Sequence, residues 1–172
     1  MARLRPARTM RTPNSQAWAR YSLRRPKKNY VRAMPSKKLL IFNMGKRKPD
    51  YDLTVTLNAK QPIQLRANSL EAARMVANKY METNVPENYF FKVLVYPHNV
   101  IREHKMASGA GADRISRGMS LAFGRPVSLA ARLREGQAVF MIRAQKQHRD
   151  IAVHAMKRAA SKLSGLYKIT AV

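Results

Sequence analysis

The sequence predicts an α+β fold: a mostly antiparallel sheet with two helices packed on it, a basic extended N-terminal arm, and a long glycine-rich loop. Three observations lead there. Short runs with a two-residue period recur after Lys38, as strands require. Two stretches, near 70–81 and 152–163, instead repeat apolar residues every three or four positions. Finally, 34 Lys and Arg outnumber 9 Asp and Glu among 172 residues, yet residues 50–101 hold five of each. The neutral block is the one best able to seed a core, and the excess charge lies in extensions around it. The expected division is an arm at 1–37 and a single domain at 38–172, with a flexible loop at 104–126.

The arm comes first. Residues 1–49 carry 15 basic residues and no acid, and five of the nine prolines: Pro6, Pro13, Pro26, Pro35 and Pro49. Proline lacks an amide donor and disfavours helix in the residue before it, so this stretch is not one long helix. The same prolines argue against an organellar transit peptide, which needs an amphipathic helix. Trp18, Tyr21 and Tyr30 stand among the charges, offering flat faces for bases while guanidinium groups take phosphates.

The body follows. Leu39-Leu40-Ile41-Phe42 reads as a short buried strand. Leu53 to Leu57 alternates with threonines outward, and Ile63-Gln-Leu65-Arg repeats the alternation after Pro62. A helix follows, capped by Asn68 or Ser69, with Glu71 at the capping-box spacing from Asn68 and an end before Pro86. Its apolar face is Leu70, Ala73, Val76, Ala77, Tyr80 and Met81. Phe91 to Val95 is the next strand, and Pro97-His98-Asn99 turns into another at Val100-Ile101. Leu129 to Leu133 and Ala138 to Ile142 flank Arg134-Glu135-Gly136-Gln137, a hairpin signal. A second helix runs from Asp150, a good cap, to Leu163, with Gly165 placed to stop it. Its apolar face is Ala152, Ala155, Met156, Ala159 and Leu163, and its polar face is His154, Lys157, Arg158, Ser161 and Lys162. Tyr167 to Ala171 could close the sheet. Met75, Met81, Met141 and Met156 fall on apolar runs and read as core.

Four of the seven glycines, Gly109, Gly111, Gly118 and Gly124, lie between His104 and Pro126. Loops of that length in compact domains are usually functional or disordered. Lys105, Arg114, Arg117 and Arg125 accompany them against a single acid, Asp113. Glycine permits close backbone approach to a phosphate, and the cations neutralise it. Gly109-Ala-Gly111 is not a dinucleotide fingerprint, because position 114 is Arg and no βαβ frame surrounds it.

Composition and spacing also exclude. A net charge of +25 calls for a polyanionic partner that relieves self-repulsion. Without cysteine there is no disulfide framework, thiolate zinc site or cysteine nucleophile. No apolar run reaches the eighteen or so residues that span a bilayer. His98, His104, His148 and His154 match no zinc signature and read as surface or phosphate-contacting residues. No carboxylate pair or nucleophile elbow suggests catalysis, so no enzyme, metal, cofactor or small-molecule substrate is expected.

Several runs carry a family resemblance. His98-Asn-Val-Ile-Arg102, Lys105-Met106, Gly109-Ala-Gly-Ala-Asp-Arg114, Gly118-Met119 and Ala122-Phe123-Gly124-Arg125-Pro126 follow in close order. Arg5-Pro6-Ala7-Arg8, Met34-Pro35, Ser69 to Arg74, Asn78 to Met81, and Gly136-Gln137 running on to Ile142-Arg143 extend the match over nearly the whole chain. Together they resemble the universal large-subunit ribosomal protein family, L-ten-e in archaea and eukaryotes and L-sixteen in bacteria. The absence of cysteine and the short C-terminus look archaeal.

The resemblance implies an α/β-hammerhead-like domain, with two helices against a curved sheet. It implies a place on large-subunit rRNA in the cytoplasmic ribosome, in the cleft where aminoacyl-tRNA enters the A site, beside neighbouring large-subunit proteins. In such proteins the arm threads along rRNA. Here Arg3, Arg5, Arg8, Arg11, Trp18, Arg20, Tyr21, Arg24, Arg25, Lys27, Lys28, Tyr30 and Arg32 would contact it, joined by Lys157, Arg158 and Lys162. The glycine-rich loop would point to the peptidyl transferase centre and to A-site and P-site tRNA, through Lys105, Met106, Gly109, Gly111, Arg114, Arg117, Gly118 and Arg125, and would order only on the ribosome. Peptide bond formation would belong to the RNA. A general nucleoid or chromatin protein is the competing reading, since charge alone suits DNA equally, and an RNA-processing enzyme is a second rival for which the sequence offers no catalytic candidate.

Overall fold

Every second residue of Leu53–Ala59 is apolar, and that strand lies inside the larger sheet, one in from its edge. The structure, a computed structural model, describes residues 34–107 and 109–172. Its strands are β1 (Asn43–Gly45), β2 (Leu53–Ala59), β3 (Ile63–Arg66), β4 (Tyr89–Val93), β5 (Asn99–Glu103), β6 (Arg125–Leu133), β7 (Ala138–Ala144) and β8 (Tyr167–Ala171). The helices are α1 (Ala67–Asn84), a single turn α2 (Ala112–Ile115) and α3 (Arg149–Ala160). The strands divide into two sheets, ordered β1-β4-β7-β2-β8 and β3-β6-β5, and every pairing is antiparallel.

The antiparallel α+β expectation holds, with two sheets where one was predicted. The pairing also overturns one element. Gln137 N–H does donate to the Arg134 carbonyl at 3.3 Å, closing the expected turn. The flanking strands nevertheless part company: β6 pairs with β3 and β5, whereas β7 pairs with β2 and β4. The turn crosses between sheets, held by Gly136 N–H to the Ala59 carbonyl at 2.8 Å and Ala59 N–H to the Gln137 carbonyl at 3.0 Å.

Three other local readings shift. The first strand begins at Asn43, beyond Leu39 to Phe42; Leu39 is buried, but Leu40 and Ile41 face solvent. Helix α1 grows directly out of β3, with extended Arg66 as its N-cap and no side-chain cap bond. Glu71 cannot close a capping box, because its carboxylate takes the Nε and Nη2 donors of Arg74. Helix α3 is likewise entered from His148 without a side-chain cap, and Asp150 sits in its first turn.

The helices pack together over one face of the larger sheet, α3 against β2, β7 and β8, and α1 against β4. Leu70, Ala73, Ala77 and Met81 of α1 meet the core, as do Ala152, Ala155, Met156 and Ala159 of α3. These are the predicted faces, with Tyr80 and Ile151 packed at their margins. Met81 and Met156 are core methionines; Met141 is half-buried, and Met75 is 56 % exposed. Phe91 and Phe140 meet in the sheet's interior, their ring centroids 5.5 Å apart. In the smaller sheet, Asn99 Nδ2 reaches over β6 to donate to Gln64 Oε1 at 2.7 Å, joining the two outer strands through a buried side-chain hydrogen bond.

Candidate nucleic-acid interface

Strands β5 and β6 are the legs of a long hairpin. Asn99 pairs with Ala130 and Glu103 with Arg125, and the chain between the legs carries the glycine-rich segment. That segment is shaped at its base. Arg102 Nη1 donates to the Gly124 carbonyl at 3.0 Å, and its guanidinium carbon lies 4.3 Å from the centre of the Phe123 ring. His104 Nε2–H donates to the Gly118 carbonyl at 2.8 Å, pulling the far side of the loop onto the ascending leg. The expectation for His104 is therefore corrected: it is half-buried and holds the loop to itself.

Glycine is required at two of these positions for different reasons. Gly111 has φ +75°, which lets it precede α2 in the left-handed region. At Gly124 the constraint is space, since a Cβ would meet the Glu103 carbonyl carbon at 2.4 Å. Further out, Ala107 N–H donates to Ser116 Oγ at 3.3 Å, and Ser120 Oγ to the Arg117 carbonyl at 2.6 Å. The predicted irregular loop thus contains a helical turn, α2, and a 3₁₀ turn at Gly118–Leu121.

The loop brings Lys105, Arg117 and Arg125 to one cleft of about 710 Å³, lined also by Glu103, His104, Ile115 and Phe123. Arg114, on α2, and Met106, in the loop before it, stand outside the cleft and are exposed. Ile115 and Met119 present 82 % and 66 % of their surface to solvent. Exposed cations beside exposed apolar side chains suit RNA, whose phosphates take the first and whose bases and sugars take the second. Arg102 and Phe123 are the residues sequence reasoning left without a role. Both lie in the runs that carry the family resemblance, but their contact depends on the hairpin bringing positions 102 and 123 together.

On α3, Lys157 and Arg158 are exposed, and Lys162 lies in the turn that follows the helix. The Arg158 guanidinium stacks 4.2 Å from the Tyr80 ring centre, which fixes its plane while leaving edge donors outward. The thirteen arm positions, Arg3 to Arg32, lie outside the described residues. Among the described residues, no group of three or more His, Cys, Asp or Glu is placed to hold a metal, and no helix is long and apolar enough to cross a membrane.

The family model "Ribosomal protein L16p/L10e" matches residues 18–170. Large ribosomal subunit protein uL16 of Archaeoglobus fulgidus is 42% identical over 156 residues, 90% of this chain and 90% of its own length. The uL16 protein of Hyperthermus butylicus is 45% identical over 160 residues, covering 92% of this chain and 88% of that protein. The Methanococcus aeolicus uL16 is 42% identical over 167 residues, 96% of this chain and 92% of its own. With a match that spans both sheets, both long helices and the glycine-rich hairpin, this chain belongs to the ribosomal protein L16p/L10e family.

Proposed function

We propose that this chain is anchored to large-subunit rRNA by its arm, residues 1–37, and by the exposed face of α3, and that its hairpin loop helps position tRNA in the A site and the adjoining P site. Membership of the family makes it a structural constituent of the large ribosomal subunit, at work in translation on the cytoplasmic ribosome, and not an enzyme. Large-subunit rRNA and neighbouring ribosomal proteins are its partners. The finer reading rests on one observation above all: a hairpin clamped at its base by Arg102, Phe123, His104 and Gly124, carrying Lys105, Arg114, Arg117 and Arg125 beyond the clamp. A rigid base with a cationic, partly apolar end can hold a nucleic acid in place without chemistry of its own. Peptide bond formation is left to the RNA.

The test is sedimentation of native lysate through sucrose at low and high salt, probing each fraction for the chain. Purely electrostatic binding through six to ten phosphates would weaken by about 10³–10⁵ between 50 and 200 mM salt. Co-migration with the large subunit that survives high salt is the expected result. Release into DNA-bound fractions would replace this reading with that of a nucleoid protein.

A further inference from the structure

The larger sheet has a second face. Its strands contain no Asp or Glu, and α1 and α3 occupy the opposite side. The outward positions run in register across it: Asn43 beside Lys92, Lys92 beside Met141, Met141 beside Thr56, and Thr56 beside Thr170. One step along, Phe90 lies beside Arg143. An open groove of about 370 Å³ follows, with Phe90 and Met141 as floor and Asn43, Arg47, Lys92 and Arg143 around it. Beyond β2, exposed Lys168 stands opposite Asn58. Between them the surface is neutral and hydrogen-bonding: the Thr56 and Thr170 hydroxyls lie 2.6 Å apart, and Asn58 Nδ2 donates to Thr170 Oγ1 at 3.2 Å. Glu87, in the turn before β4, is already paired with Lys46.

From this we infer that the open face of the five-stranded sheet is a separate rRNA contact surface. It binds phosphates through Arg47, Lys92, Arg143 and Lys168, and sugar or base edges over Phe90 and Met141. The inference rests on the rRNA-anchored reading above. Charge complementarity selects the partner: every charged side chain on these five strands is basic, which favours a polyanion and repels other basic surfaces. From β4 to β8 the cations span three strand spacings, roughly 14 Å, more than one phosphate occupies.

The cysteine-free chain permits a direct test. Met141→Cys and, on the groove's edge, Asn43→Cys would each carry a tethered iron chelate that generates hydroxyl radicals. Both would be assembled into large subunits beside Ser120→Cys on the hairpin loop. Strand scission of rRNA from 141 or 43 is expected. In parallel, Lys92→Gln/Arg143→Gln/Lys168→Gln would be titrated against purified large-subunit rRNA. Its slope of log affinity on log salt should be shallower than wild type by about 2 to 3, at roughly 0.7–0.9 for each phosphate no longer neutralised. Lys60→Gln/Lys79→Gln/Arg132→Gln, the same charge removed from other surfaces, should change the slope by less than about 1. Scission from 120 with none from 141 or 43, or scission of a neighbouring protein in place of rRNA, would overturn the sheet-face inference and leave the rRNA-anchored reading intact. Failure of the wild-type chain to enter large subunits would overturn both.

Discussion

At Gly124, just before β6, the backbone comes so close to the end of β5 that a methyl group would displace the Glu103 carbonyl and the His104 amide. Gly124→Ala should therefore destabilise the free protein by about 1–3 kcal/mol, read from urea denaturation, because the groups in the way are backbone. Arg114 and Arg125 are both exposed. Replacing either by Ala should slow tRNA accommodation more than it weakens rRNA binding, measured by pre-steady-state kinetics on assembled ribosomes. Equal loss of rRNA affinity with normal accommodation would sink that division of labour. Tyr167 is the residue with a pH signature. Burial pushes its phenol well above the ordinary value of 10.0, and its hydroxyl donates to the Ser164 carbonyl at 2.7 Å. Tyr89 is raised in the same sense, again by burial. The unfolded chain ionises first as pH climbs, so the contribution of these phenols is complete below about pH 10 and is lost above it. A melting temperature that falls above pH 10, and falls less steeply in Tyr167→Phe, is the expected pattern.

Helices α1 and α3 show what periodicity tells and where it misleads. Positions 70, 73, 77 and 81 recur at helical spacing and are buried together, as are 152, 155, 156 and 159. Truncating Leu70 or Met156 to Ala should cost about 2–5 kcal/mol in chemical denaturation, since both are fully buried. Met75 follows Leu70 by five positions, about 140° round the helix from it, and faces solvent. Met75→Ala should change stability by no more than about 0.5 kcal/mol. The β6–β7 turn is a different kind of error. Gly136 has φ +76° and the turn closes as expected. A two-residue period, however, says that a strand has one buried face and nothing about which strand lies beside it. The partners of β6 are β3 and β5, which makes the glycine-rich segment the end of a hairpin and not a detached insertion.

Across the whole molecule the net charge of +25 sets opposite salt dependences for the free and bound chain. Raising NaCl from about 10 to 150 mM shortens the Debye length from roughly 30 to 8 Å and should raise the melting temperature of the free protein by screening self-repulsion. Over the same interval, affinity for rRNA should fall. Scanning calorimetry and filter binding on one preparation would show both signs. A melting temperature indifferent to salt would mean that the cations are spaced widely enough to tolerate one another.

What the sequence determined by itself was local or summed over the chain. Period and composition marked most of the strands, both long helices with their buried faces, the polyanionic partner, and a basic loop rich in glycine; the ordered runs from 98 to 126 carried the family. These are readable because each depends on residues close in the chain or on totals that folding does not alter. Tertiary structure decided the rest: that there are two sheets, that Arg102 and His104 clamp the hairpin, that Glu71 serves Arg74 in place of a helix cap, and that Lys92, Arg143 and Lys168 share one face of strands that hold no acid. Most of those arrangements join residues far apart in the chain, and only strand pairing, which no single segment encodes, brings them together.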